Sequence, residues 1–150
     1  MDKQLKEKIN FKRILGIDFG KSRVGIAISD ALHISVTPLL VLNYRDNNFW
    51  ELLLKLIEKE NVGAIVVGKP IYDTESNSHL ELIEHLEKFI EELKIKSELP
   101  VFIQDESFSS KKAVTTMLEI GKKKKFRATK GSTDKIAAAI ILQDFINYLE

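Results

Sequence analysis

Four acidic side chains stand where a carboxylate needs a reason: Asp18, Asp105, Glu106 and Asp134. Asp18 lies in the stretch Ile14-Leu15-Gly16-Ile17-Asp18-Phe19-Gly20. Leu15, Ile17 and Phe19 fall on one face at a period of two, so Asp18 points to the other. A carboxylate near the end of a central apolar strand is costly to bury without a cation. Gly16 and Gly20 bracket it and leave room for a backbone or ligand to approach. Asp105 and Glu106 close the run Val101-Phe102-Ile103-Gln104, and Asp134 follows Ser132-Thr133 at the start of an apolar helical pattern. Taken singly, each acid has a local use. A strand-end Asp caps a turn, a strand-end pair faces solvent, and an acid in a first helical turn complements the helix dipole. Taken together they point to chemistry. The C-terminal ends of neighbouring parallel strands converge, and a helix packed on the same sheet can start there. Carboxylates gathered at one place repel each other, and a hard divalent cation relieves the repulsion. Mg²⁺ takes oxygen ligands from a few carboxylates, water and substrate phosphate. Two such ions about 3.5–4 Å apart serve phosphodiester hydrolysis.

A second cluster is cationic. Lys122-Lys123-Lys124-Lys125-Phe126-Arg127-Ala128-Thr129-Lys130 holds six basic residues and no acid, and leads to Asp134. Charge runs are ordinarily solvated loops, but beside a metal site this one suits a phosphate backbone. Lys21, Arg23, Lys69 and the serines Ser107, Ser109 and Ser110 are further candidate phosphate contacts. Phe126 offers a ring for an unpaired base or an anchor for the loop, and the anchor is the simpler use.

The elements that must place these residues follow from periodicity. Residues 2–10 are polar and mixed in charge and read as an N-terminal extension, so the domain is expected over 12–150 after an extension over 1–11. A strand over about 12–19 turns through Gly20-Lys21-Ser22-Arg23 into a β-branched run over 24–30, as in a hairpin. His33 to Leu42 extends the meander. Phe49, Leu52, Leu53, Leu56 and Ile57 then follow helical spacing, with Asp46 or Asn47 as cap. Val62 to Gly68 is a continuous apolar run, as in a parallel strand buried on both faces. A helix over about 79–96 turns Leu82, Ile83, Leu86, Phe89, Ile90 and Leu93 inward. After the strand 101–106, Ser109 or Ser110 caps a helix that ends near Gly121. A last helix from Thr133 to Ile146 has Ile136, Ala137, Ile140, Ile141 and Phe145 as its inner stripe. Three meander strands followed by helix–strand–helix–strand give a mixed five-stranded α/β sheet with helices on both faces.

Composition narrows the function classes. The 150 residues, 44% hydrophobic and 30% charged, suit one soluble domain. With no cysteine there is no disulfide, thiolate zinc site or cysteine nucleophile. The three histidines, 33, 79 and 85, are too scattered for a histidine metal cluster. The formal net charge of +1 argues neither for nor against nucleic acid, so its distribution decides. No segment is long enough to span a membrane, and the N-terminus lacks the apolar core of a signal peptide. A cytoplasmic protein is expected.

Four stretches resemble the YqgF family, described as Holliday junction resolvases and as pre-16S rRNA nucleases. They are Leu15 to Asp30, Ile65 to Pro70, Asp105 to Ser110, and Asp134 to Gln143. The resemblance implies a ribonuclease H-like fold and a metal-dependent phosphodiesterase using Mg²⁺ or Mn²⁺, as one or two ions. It maps the family's carboxylates onto Asp18, Glu106 and Asp134, with Asp105 beside the family's Glu. The chain departs from the family in two places. Ser107 stands where the family usually has Arg after Asp-Glu, so Arg23 or Lys69 is expected to supply that charge. The loop Ile71 to Ser78 lacks the family's glycine. The implied substrate is structured RNA in ribosome biogenesis or branched DNA, and a junction resolvase needs two sites, hence a homodimer. Two other function classes fit parts of the sequence. Gly16 to Ser22 also resembles the first phosphate loop of the sugar kinase and actin superfamily, which implies nucleotide binding. A nucleic-acid-binding module without cleavage would fit the missing Arg.

Overall fold

The strand that carries Asp18 is the middle strand of a five-stranded sheet. The computed structural model describes residues 9, 11–70, 77–106 and 132–149. Its strands are β1 (Arg13–Phe19), β2 (Arg23–Ser29), β3 (Val36–Asn43), β4 (Val62–Pro70) and β5 (Val101–Glu106), in the spatial order β3-β2-β1-β4-β5. The first three pair antiparallel, while β4 and β5 continue parallel to β1. Short hairpins force the antiparallel half. Helical crossovers permit the parallel half, because a parallel return needs a dozen or more residues.

The helices are α1 (Phe49–Lys59), α2 (Asn77–Ser97) and α3 (Ser132–Leu149). Alternation along the strands creates two cores. Leu15, Ile17, Val24, Ile26, Ile65 and Val67 pack with Phe49, Leu53, Leu86, Phe89 and Leu93 of α1 and α2. Ile14, Ala27, Ala64 and Val66 pack with Ala138, Leu142 and Phe145 of α3 on the other face. Ile9, within the stretch expected as an extension, is fully buried in this second core.

The expected elements are present within a few residues, and the differences have local causes. The N-cap of α1 is Asn48, without a side-chain bond, in place of Asp46 or Asn47. The carbonyl of Asp46 instead accepts the Phe49 N–H at 3.1 Å, so a backbone turn does the work of a cap. Leu52 was expected inward but is exposed, because α1 buries only the stripe Phe49, Leu53 and Ile57. The helix expected after Ser109 or Ser110 and the basic run to Lys130 lie outside the described residues.

Candidate active site

Two glycines decide how close α3 comes to the sheet. A Cβ on Gly16 would lie 2.7 Å from Leu142 Cβ and 2.8 Å from the Ala138 carbonyl. A Cβ on Gly25 would run into the backbone carbonyl of Asp134. The first turn of α3 therefore rests directly on β2 at Gly25. Asp18 is the β1 partner of Gly25. Directly opposed residues in an antiparallel pair put their side chains on the same face. Asp18 thus emerges on the face where Asp134 begins its helix, as the Leu15, Ile17 and Phe19 periodicity requires. On its other side, one residue beyond the pair Ile17↔Val67, Asp18 has Gly68 of β4 as neighbour. Both lateral neighbours lack side chains, so the carboxylate is flanked by bare backbone.

The same alternation separates the two acids of β5. Phe102 belongs to the α3 face and stacks on Phe145 at 5.3 Å between ring centroids. Val101 packs against the opposite core. Position 106, paired with Pro70, therefore shares the α3 face with Phe102 and Gln104, whereas Asp105 shares the opposite face with its partner Lys69. The side chain of Glu106 lies outside the described residues.

Arg23 ends up beside Asp134, its Nε 3.2 Å from Oδ2, with the side chains 45% and 25% exposed. Oδ2 is nonetheless buried and accepts no hydrogen bond from the described residues. The arginine compensates charge without saturating the oxygen. A buried carboxylate oxygen that lacks an N–H or O–H donor suits a hard cation. The described residues alone hold no group of three metal-ligating side chains. Asp18 and Asp134 offer two, and the position of Glu106 lies on their face. The donor set is all oxygen, which fits Mg²⁺ or Mn²⁺ rather than a soft metal.

The remaining predicted residues disperse. Lys21 pairs with Glu81 of α2 at 3.3 Å. By alternation Lys69 and Asp105 fall on the face away from α3, although at the β5 edge Asp105 also lines a cavity with Phe145 and Tyr148 of α3. Ser107, Ser109, Ser110, Lys122, Lys123, Lys124, Lys125, Arg127 and Lys130 lie outside the described residues.

A feature that periodicity did not reveal adjoins Arg23. A cleft of about 720 Å³ is lined by Ser22, Arg23, Val41, Asn43 and Arg45. Arg23 pairs with Asn43 and Gly25 with Val41, which places this cleft on the α3 face, toward the β3 edge. Arg45 follows the end of β3 in a turn, where single-sequence patterns are weakest. No helix of the described residues is long and apolar enough to cross a membrane.

Residues 12–148 match the family model RuvX, described as Holliday junction resolvase. A protein of Phocaeicola vulgatus named "Putative pre-16S rRNA nuclease" is 38% identical over 89% of this chain and 94% of its own length. A protein of Sulfurihydrogenibium sp. with the same name is 34% identical over 91% of both chains. Among solved structures, Thermus thermophilus RuvC in complex with a Holliday junction superposes with a TM-score of 0.60 at 12% identity, over 92% of this chain and 96% of that one. The Fowlpox virus resolvase with its junction DNA gives 0.54 at 15% identity, over 91% and 98%. These two show the ribonuclease H-like fold.

Proposed function

This chain belongs to the RuvX family of Holliday junction resolvases, and we propose that it is a metal-dependent nuclease whose catalytic carboxylates are Asp18, Glu106 and Asp134. One observation carries the reading: Asp18 and Asp134, far apart in sequence, open onto one face of the sheet over the side-chain-free Gly25. Glu106 completes the set because its position, and not that of Asp105, falls on that face. A bound Mg²⁺ or Mn²⁺ supplies Lewis acidity toward a phosphoryl oxygen and activates water.

The chain's own residues do the rest. Gly25 lets the first turn of α3 come down beside Asp18, which brings the Asp134 carboxylate to the same face. α3 fixes Asp134 through the seat on Gly16 and Gly25. Arg23 screens Asp134 while the site is empty of substrate and is placed to meet a phosphate oxygen, the service expected of the family Arg that Ser107 replaces. Strand alternation puts Lys69 on the other face, which favours Arg23 over Lys69 for that service.

The substrate is precursor 16S ribosomal RNA on this reading, supported by the names of relatives that align over nearly the whole chain. The family description favours a second reading, a four-way DNA junction. That substrate would require two sites and so a second copy of the chain. The test is cleavage of a pre-16S fragment and a four-way junction side by side, with Mn²⁺ and with chelator. Metal-dependent cleavage of the RNA, lost in Asp18→Asn while the circular dichroism spectrum is unchanged, is the expected result. Undiminished cleavage by Asp18→Asn would falsify the assignment.

A further inference from the structure

The cleft beside Arg23 has an occupant that its chemistry specifies. Among the described residues its lining is two guanidinium groups, a hydroxyl, a carboxamide and one valine, without a carboxylate. Of the three described arginines, Arg13 and Arg23 form ion pairs with described residues and Arg45 does not. Its position is nonetheless built. The Arg45 N–H donates to Asn43 Oδ1 at 3.0 Å, and the Tyr44 N–H donates to the Ser22 carbonyl at 2.9 Å. The Tyr44 ring is fixed on the opposite face, edge-on to Phe19 at 5.1 Å and to Phe49 at 4.9 Å between centroids. With Tyr44 anchored below the sheet and Asn43 above it, Arg45 is delivered to the cleft. Arg23 lies between Arg45 and Asp134. At Gly25 the first turn of α3 lies on β2, and Arg23, two residues away at the start of β2, joins Asp134 to the cationic cleft at the β3 edge.

We infer that this cleft is a phosphate track. It holds the sugar–phosphate backbone of a nucleic-acid strand as that strand leaves the carboxylates, with Arg45 on a phosphate beyond the scissile one. The inference takes its substrate class from the nuclease reading and adds a direction, out across β2 and β3. Guanidinium forks bind phosphate oxygens bidentately, while the Ser22 hydroxyl and the Asn43 amide suit the remaining oxygens. Contacts of this kind to phosphate oxygens position a strand without reading its sequence.

The experiment measures binding in chelator, in the Asp18→Asn background, by fluorescence anisotropy. The probes are a labelled RNA oligonucleotide and a labelled four-way DNA junction, each over a series of salt concentrations. Arg45→Gln is expected to weaken binding by about threefold to tenfold and to lower the salt slope by about 0.7 to 1, the loss of one phosphate contact. Arg45→Lys should keep most of the affinity. Lys55→Gln, on α1 at the other face, should change neither quantity. Loss in the RNA arm, the DNA arm or both supports the track and tells which backbone it follows. Wild-type affinity and slope in Arg45→Gln, or an equal loss in Lys55→Gln, overturns it. The outcome is separable from the nuclease reading: an Arg45-dependent slope in a wild-type chain that cleaves nothing would leave the track and remove the nuclease. Cleavage with an Arg45→Gln variant that binds normally would do the reverse.

Discussion

Arg23 answers to two partners, and its substitution separates them. Its guanidinium lies 3.2 Å from Asp134 Oδ2, so it competes with any cation drawn to that carboxylate. Both side chains are partly exposed, which limits the interaction to the order of 1 kcal/mol. Arg23→Gln should therefore bind Mn²⁺ about fivefold tighter by titration calorimetry, since 1.4 kcal/mol is a factor of ten. The same variant should bind nucleic acid more weakly, having lost a phosphate contact. Weaker Mn²⁺ binding in Arg23→Gln would show that the arginine organises Asp134 instead of competing for it. At this scale the sequence was partly legible. The face of Asp18 could be read because Leu15, Ile17 and Phe19 alternate with it. The pairing of Arg23 with Asp134 could not, because no local pattern links a hairpin turn to a helix formed more than a hundred residues later. Which face of the sheet positions 105 and 106 take needed the packing of β5 beside β4, which only the tertiary structure supplies.

Among the elements, the seat of α3 on the sheet is the most exacting, and the glycines measure it. Gly25→Ala places a methyl group where the Asp134 carbonyl lies. Backbone cannot step aside as a side chain can, so the first turn of α3 must shift. The expected cost is about 1–3 kcal/mol of overpacking, read as a lower denaturant midpoint, together with weaker Mn²⁺ binding. Gly63→Ala is the control. Its Cβ would meet only the Lys12 side chain, 2.6 Å away at Cβ and 2.8 Å at Cδ. Lys12 Cβ is fixed to its own backbone, so stability should also fall by about 1–3 kcal/mol, but Gly63 lies at the start of β4, at the other end of the strand from Gly68, and Mn²⁺ affinity should not change. The turn between β2 and β3 depends on a charge. Burial raises the Asp30 pKa, but the N–H groups of Ile34 and Ser35, at 2.7 and 3.2 Å from Oδ1, outweigh it and leave the carboxyl below its ordinary value. A depressed folded-state pKa stabilises above the unfolded value and ceases to as pH falls through the folded one. Asp30→Ala should thus melt below wild type at pH 7, with the gap closing as pH drops below about 4. Element identities were legible because apolar periods of two and 3.6 were long and clean. Boundaries such as the α1 cap were not, because the Asp46 carbonyl, which every residue type carries, replaced a side-chain signal.

At the level of the whole molecule, the sheet divides two tasks between its faces. The order β3-β2-β1-β4-β5 puts Asp18 on the central strand, where both neighbours hold its backbone. The antiparallel and parallel halves were legible from the succession of hairpins and crossovers. Which helix covers which face was not, since every helix has an apolar stripe and none names its sheet partner. The face under α1 and α2 is an aromatic core: Phe89 stacks on Phe19 at 4.6 Å and on Trp50 at 5.5 Å between centroids. The face under α3 is a close-approach core, with Leu142 over Gly16 and the acids at its end. Stability and site geometry should therefore respond differently to damage on the two sides. Phe89→Leu removes ring stacking far from Asp134 and should cost about 1–2 kcal/mol. Leu142→Ala empties the contact that holds α3 on β1 and should cost about 2–5 kcal/mol. Both variants should be compared by calorimetric Mn²⁺ titration at a temperature where each is folded by circular dichroism. Mn²⁺ affinity should be wild-type in Phe89→Leu and reduced in Leu142→Ala, because only the second lets Asp134 drift from Asp18. Equal affinities in the two variants would mean that the carboxylates are held by the sheet alone and that the seat of α3 has no part in placing them.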